Sequence, residues 1–137
     1  MANPVSDYPM FKGVSFETQL VRADSAQSGV NSVAPLTKVV DVQGVVTDAN
    51  DFIVLPPLSS CPNGHTITVL GNAGSNFEVR TPASSAEEIN SEDCDGTKEY
   101  LFTNGQVHTF TKINNTIGWM GEGRTAIGAY ATAVIPD

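Results

Sequence analysis

The run Gln106-Val107-His108-Thr109-Phe110-Thr111-Lys112-Ile113, followed by Asn114-Asn115-Thr116-Ile117-Gly118-Trp119, decides the fold class. Its first eight residues alternate instead of repeating every 3.6 positions, and an alternating run rich in Val, Thr, Ile and Phe is a strand. Read through Val107 and the neighbouring apolar positions, it turns Val107 inward and leaves His108 exposed. Asn114, Asn115 and Gly118 supply turn chemistry, and Trp119 starts the return strand of a hairpin.

The same rhythm runs back through the chain. Residues 98–102 end at the Asn104-Gly105 turn, and residues 76–80 alternate with Phe77 and Val79 inward. Residues 65–70 follow the turn residues Pro62-Asn63-Gly64, and Phe52-Ile53-Val54-Leu55 stops at Pro56-Pro57. Residues 38–47 read as a strand broken or bulged at Gly44, because a lone glycine in a strand marks a bulge or a close backbone approach. Strands spaced roughly 8–12 residues apart indicate a compact β-sandwich or barrel-like domain, an all-β class. Composition agrees: Val, Ile and Thr total 35 residues, whereas Leu, Met, Glu and Lys total 20, and β-branched side chains suit a pleated surface. Ser84 and Ser85 each precede a glutamate by three positions, as in a capping box, but no 3.6-residue apolar face follows. That permits at most one helical turn.

At 137 residues and 14.5 kDa the length suits one domain, burying roughly two-thirds of the surface its unfolded chain exposes. Charged residues at 16% and hydrophobic residues at 40% exclude a disordered chain and a membrane-spanning helix. The first seven residues have neither a basic region nor an apolar run, so no secretory signal is read and assembly in a cytoplasm is expected. The formal charge is −8, with seven Lys and Arg scattered singly, which leaves no basic stripe for nucleic acid.

Three regions are expected. Residues 1–37 form an extended N-terminal arm with one strand over 13–22, where Val14, Phe16 and Leu20 share a side, and a loop or linker over 23–35. Residues 38–125 form the β core. Residues 126–137 form a last strand or, by slight preference, a tail packed against another chain.

Side-chain chemistry points away from catalysis. Cys61, Cys94, His65 and His108 match no zinc spacing, and both histidines are expected at exposed strand positions. Cys61 and Cys94 can close a loop of about 33 residues worth ~3–4 kcal/mol, although the reduced state is the default without secretion. In the acidic run, an EF-hand register with Gly96 at the sixth place puts Ser91, Asp93 and Asp95 at ligand places but Phe102 at the twelfth. A bidentate glutamate is needed there, so the run reads as a solvated loop. No nucleophile elbow or phosphate-binding glycine loop occurs. The expectation is no enzyme, no catalytic residues, no cofactor and no metal.

The order of features is more informative than any one motif. Asp51-Phe52-Ile53-Val54-Leu55-Pro56-Pro57, then Asn63-Gly64-His65-Thr66-Ile67-Thr68-Val69, Gly71-Asn72-Ala73-Gly74, Phe77-Glu78-Val79, Ile89-Asn90 and Gly118-Trp119-Met120 resemble a β module common in tailed-bacteriophage virion proteins. The module occurs in capsid decoration (cement) proteins and in the ends of tail fibres, and the resemblance covers about half the chain. It implies a non-enzymatic homotrimer on the outer capsid surface that ties neighbouring major capsid proteins together, with no nucleic acid or membrane as partner. An arm of 37 residues spans at most ~120 Å, and three arms per trimer give multivalent attachment. Tyr8, Met10, Phe11, Val14 and Phe16 are the expected capsid-contact anchors. The alternative is a tail-fibre or receptor-binding component, although no heptads or Gly-X-Y shaft is present. A secreted carbohydrate-binding domain would carry more than 7% aromatics and one Trp.

Overall fold

Alternation and turn chemistry resolve into strands throughout the computed structural model, which describes residues 18–96, 98–124 and 135–136. The strands are β1 (Thr18–Ala23), β2 (Val39–Val45), β3 (Phe52–Val54), β4 (Thr66–Gly71), β5 (Phe77–Arg80), β6 (Glu88–Ile89), β7 (Glu92–Asp93), β8 (Lys98–Phe102), β9 (Val107–Asn114), β10 (Gly118–Arg124) and β11 (Ile135–Pro136). A 3-10 turn at Leu58–Ser60 is the one helical element among the described residues. The chain is all-β.

Two mixed sheets form. The larger has the order β1-β2-β4-β9-β10-β6-β7, with β1, β2 and β4 mutually parallel and β4, β9 and β10 antiparallel. The smaller runs β8-β5-β3, and the short β11 pairs antiparallel with the start of β8. Their inner faces meet in one apolar cluster. Val40, Val42, Ile67, Val69, Phe110 and Trp119 come from the large sheet, and Ile53, Phe77, Val79, Tyr100 and Phe102 from the small one. This is the sandwich solution, in which each sheet removes one face from water.

The expected β10 hairpin is present, with a bulge. Gly118 pairs with Asn114 while Trp119 pairs with Lys112, so Ile113 is an extra residue on β9. The bulge leaves Ile113 exposed and sends Trp119 fully inward. Gly118 has φ +82°, and a Cβ there would lie 2.4 Å from the Glu88 carbonyl oxygen. Only glycine fits where β10 passes β6 this closely. The bulge expected near Gly44 is also found, since Val21 pairs with Val42 and Ala23 with Val45.

Three expectations need correction. In β1 the buried residues are Val21 and Ala23, while Leu20 is 63% exposed; parallel pairing to β2 sets the opposite parity. Residues 23–35 are no free linker. Asp24 and Ser32 bridge to β3, Asn31 and Val33 are buried, and the Gln19 side chain holds the Ser32 carbonyl and the Ala34 amide. Residues 18–37 of the expected arm therefore belong to the β domain. In β9 the inward side chains are His108, Phe110 and Lys112, and Val107 points out. Within the limit of at most one helical turn after Ser84, none forms: Ser84 and Ala86 take left-handed φ values, and the Ser85 hydroxyl accepts the Glu87 amide.

Candidate functional site

Strand β9 inserts two polar side chains into the apolar interior, one near each end. His108 is fully buried. Its Nδ1 lies 2.6 Å from the Tyr100 hydroxyl on β8, and its Nε2 lies 2.7 Å from Gln106 Oε1. An amide oxygen only accepts, so Nε2 carries the proton and the lone pair on Nδ1 accepts from Tyr100. The ring also packs on Phe102, centroids 4.1 Å apart, and Phe102 stacks on Phe77 at 4.7 Å. Burial lowers the His108 pKa to about 4, so the ring is neutral at neutral pH. His65, just before β4, is buried too and gives Nε2 to the Thr37 carbonyl. Burial pushes its pKa down, with Lys38 adding to the effect and the Thr37 bond opposing it. Both histidines thus stand inside, not at exposed strand positions, because each finds a partner that offsets lost hydration.

Lys112 is also buried, and its Nζ donates to the Leu58 and Cys61 carbonyls at 2.5 and 2.6 Å. At the other end of that 3-10 turn, the Glu87 carboxylate accepts the Leu58 amide at 3.2 Å. A cation on the carbonyls and an anion on the amide match the dipole of the turn. Burial nevertheless raises the Glu87 pKa, against the lowering effects of the Leu58 bond and of Lys112.

Neither arrangement has the form of a catalytic centre. The His108 ring is enclosed by aromatics, with both nitrogens engaged. Cys61 and Cys94 are buried free thiols, and desolvation pushes the Cys94 thiol up to about 12, far from a reactive thiolate. In the acidic run, β6 and β7 form a hairpin with Asn90 and Ser91 both at positive φ, the geometry of a type I′ turn. Glu92 pairs with Lys98, and Asp95 accepts the Ala86 amide. No three His, Cys, Asp or Glu side chains among the described residues gather to hold a metal ion.

The surface is more distinctive than the interior. The outward face of β4 and β9 carries Thr66, Thr68, Leu70, Val107, Thr109 and Thr111. At the β1 edge, an open groove of about 410 Å³ lies among Leu20, Arg22, Val30 and Gln43. Leu20 and Val30 are both strongly exposed. Tyr8, Met10, Phe11, Val14 and Phe16, the expected capsid-contact residues, lie outside the described residues. The uncharged β4–β9 face is hidden in the sequence because the alternation there reads Val107 as inward; with His108 inside, the flanking Thr-x-Thr pairs form an outer row.

No known protein family matches this sequence, and no curated protein matches it either.

Proposed function

We propose that this chain is a structural virion protein, a capsid decoration protein of a tailed bacteriophage that binds the outer shell as a homotrimer and stabilises contacts between major capsid proteins. One observation carries the reading: the residues of the Asp51–Trp119 pattern are fastenings of a single β module, and none converges on a reaction centre. The Asp51 carboxylate, 1% exposed, accepts the Thr47 amide at 2.5 Å. Asn90 exchanges two hydrogen bonds with the Gly121 backbone through its side chain, at 2.8 and 3.3 Å. Gly118 lets β10 pass Glu88, and Trp119 fills the interior beside Ile89, its partner in register. Such a pattern preserves a scaffold, as a protein whose function is to occupy and clamp a surface requires.

Among the described residues β1 stands at the edge of the large sheet, so a proposed arm leading into Thr18 reaches the domain at that border. Tyr8, Met10, Phe11, Val14 and Phe16 supply the proposed apolar anchors to the major capsid protein. Three weak arms on one trimer bind tightly together through effective concentration. The reading assigns no catalysis, cofactor, nucleic acid or membrane, and places the protein on the outer capsid surface after assembly in the host cytoplasm.

The test is co-sedimentation of the purified full chain with capsids stripped of it. Saturable binding is expected, and deletion of residues 2–12 is expected to abolish it while the β-rich circular dichroism spectrum stays unchanged. Failure of the full chain to bind shells overturns the decoration reading, and binding to host cells or glycans instead turns it into a tail-fibre or receptor-binding component. Undiminished binding after the deletion removes the arm.

A further inference from the structure

We infer that the uncharged outer face of strands β4 and β9 is where copies of this chain meet, an inference that rests on the homotrimer reading and gives it a surface. In a chain of net charge −8, a solvent-facing sheet surface ordinarily carries Glu and Lys. The two central strands of the large sheet carry none there: β4 presents Thr66, Thr68 and Leu70, and β9 presents Val107, Thr109 and Thr111. In register, Thr66 faces Thr111, Thr68 faces Thr109 and Leu70 faces Val107.

The polar atoms in this patch are partly satisfied within it. The Thr68 and Thr109 hydroxyls bond each other at 3.2 Å, so the cost of removing them from water is reduced and their methyl groups add apolar contact. Apolar residues continue the face on both sides. Met120 stands opposite Thr111 and is 44% exposed, and Leu20 on β1 is 63% exposed. By register, charged residues flank the central pair on both sides: Asp41 on β2 is opposite Leu70, and on β10 Glu122 is opposite Thr109 and Arg124 opposite Val107.

Charge chooses the occupant. Two chains of −8 repel at every face that carries the excess, and like charges set against each other cost several kcal/mol. A neutral face is therefore the place where identical acidic chains can associate, and depletion of charge is the mark of an interface centre. Size is compatible when a charged rim is counted with the uncharged centre: the five strands β1, β2, β4, β9 and β10, ~4.8 Å apart and about 27 Å long at β9, span roughly 600 Å², with Arg22 on β1 and Asp41 on β2 in the rim. That is of the order of the ~800 Å² each partner contributes to a stable complex.

The test substitutes Thr68→Lys in the full chain, with Ala49→Lys in an exposed turn as control. Thr68→Lys lowers the net negative charge, so general repulsion between copies falls; loss of association then reports on the face itself. Sedimentation equilibrium is expected to show association weakened at least ~100-fold for Thr68→Lys and unchanged for Ala49→Lys. An unaltered oligomer in Thr68→Lys overturns the inference and leaves the homotrimer reading standing. A parent chain that is monomeric at 100 µM overturns both. As a second measurement that does not depend on how Thr68→Lys folds, Val107→Cys is treated with a charged maleimide. Protection at associating concentrations and release on dilution are expected, and equal modification at both concentrations overturns the proposal, as does protection that appears only when shells or glycans are added.

Discussion

The two ends of β9 handle the same difficulty in opposite ways. At one end His108 enters the core as a neutral ring, hydrogen-bonded to Tyr100 and Gln106 and stacked among aromatics. At the other, four residues on and on the same face, Lys112 enters as a cation that holds two backbone carbonyls. Buried polar groups are costly unless paired. The first end lowers the cost by giving up charge, and the second by spending the charge on two carbonyls of a turn, that of Leu58, which also accepts the Cys61 amide, and that of Cys61. The two ends should therefore respond to different perturbations, the aromatic end to acid and the turn end to truncation.

Truncation gives the largest expected effect. Lys112→Ala removes the ammonium from the Leu58 and Cys61 carbonyls, leaving Leu58 only the bond from the Cys61 amide, opens a cavity under the 3-10 turn and leaves the Glu87 carboxylate without its neighbouring cation. Loss of one partner from a buried ionic contact typically costs ~3–5 kcal/mol. Urea denaturation should show the midpoint falling with the slope unchanged, and a loss under about 1 kcal/mol would mean that water enters and replaces the ammonium, erasing the contrast between the ends.

Acid should act next, through His108. Its folded pKa of about 4 lies below the ordinary value near 6.5 that the unfolded chain retains. Between those values the unfolded chain takes up a proton that the folded chain refuses. The stability contributed is thus fully present above pH ~6.5 and is lost as pH falls towards 4, by roughly 3 kcal/mol at about 1.36 kcal/mol per pH unit. His65, shifted the same way, adds to the loss. His108→Phe should flatten the stability profile between pH 6.5 and 4 relative to the parent. An equally steep fall in that variant would assign the acid sensitivity elsewhere.

What was legible in the sequence follows from this contrast. Turns and breaks were readable because they depend on local backbone chemistry: Gly118 and the bulge by Gly44 are where the residues place them, and β3 stops at Val54, one residue before the expected end at Leu55. Strand parity was not readable for β1 and β9. In β9 the inward residues are His108, Phe110 and Lys112 while outward positions hold Val107, Thr109 and Thr111, so polar side chains share the inner face with one Phe and starting the alternation at Val107 selects the wrong face. Parity there is set by partners distant in sequence, Tyr100 for His108 and the Leu58–Cys61 turn for Lys112. The start of the core was misplaced for a related reason: β1 is held by parallel pairing to β2 across a long connection, and the Gln19 and Asn31 side chains that fasten that connection have no local signature. The residues expected to touch a capsid precede Thr18, so the candidate surface within the fold had to come from charge and register.

The smallest effect tests how far the turn end depends on ionic attraction. Burial raises the Glu87 pKa more strongly than the Leu58 amide and Lys112 lower it. A raised carboxyl pKa means that the folded chain favours the protonated form, so this group's contribution is fully present below the ordinary carboxyl range and lost as pH rises through the folded pKa. Its sign is opposite to that of His108. Glu87→Gln imitates the protonated acid and keeps an oxygen for the Leu58 amide, so at pH 7 its melting temperature should equal or exceed the parent's by a degree or two, on the order of 0.5 kcal/mol. The acid loss should also become slightly steeper in this variant, since the opposing proton uptake at Glu87 is gone. A clear drop in melting temperature at pH 7 would show that attraction to Lys112 outweighs desolvation, and the turn would then be held as an ion pair bridged by backbone instead of by Lys112 alone.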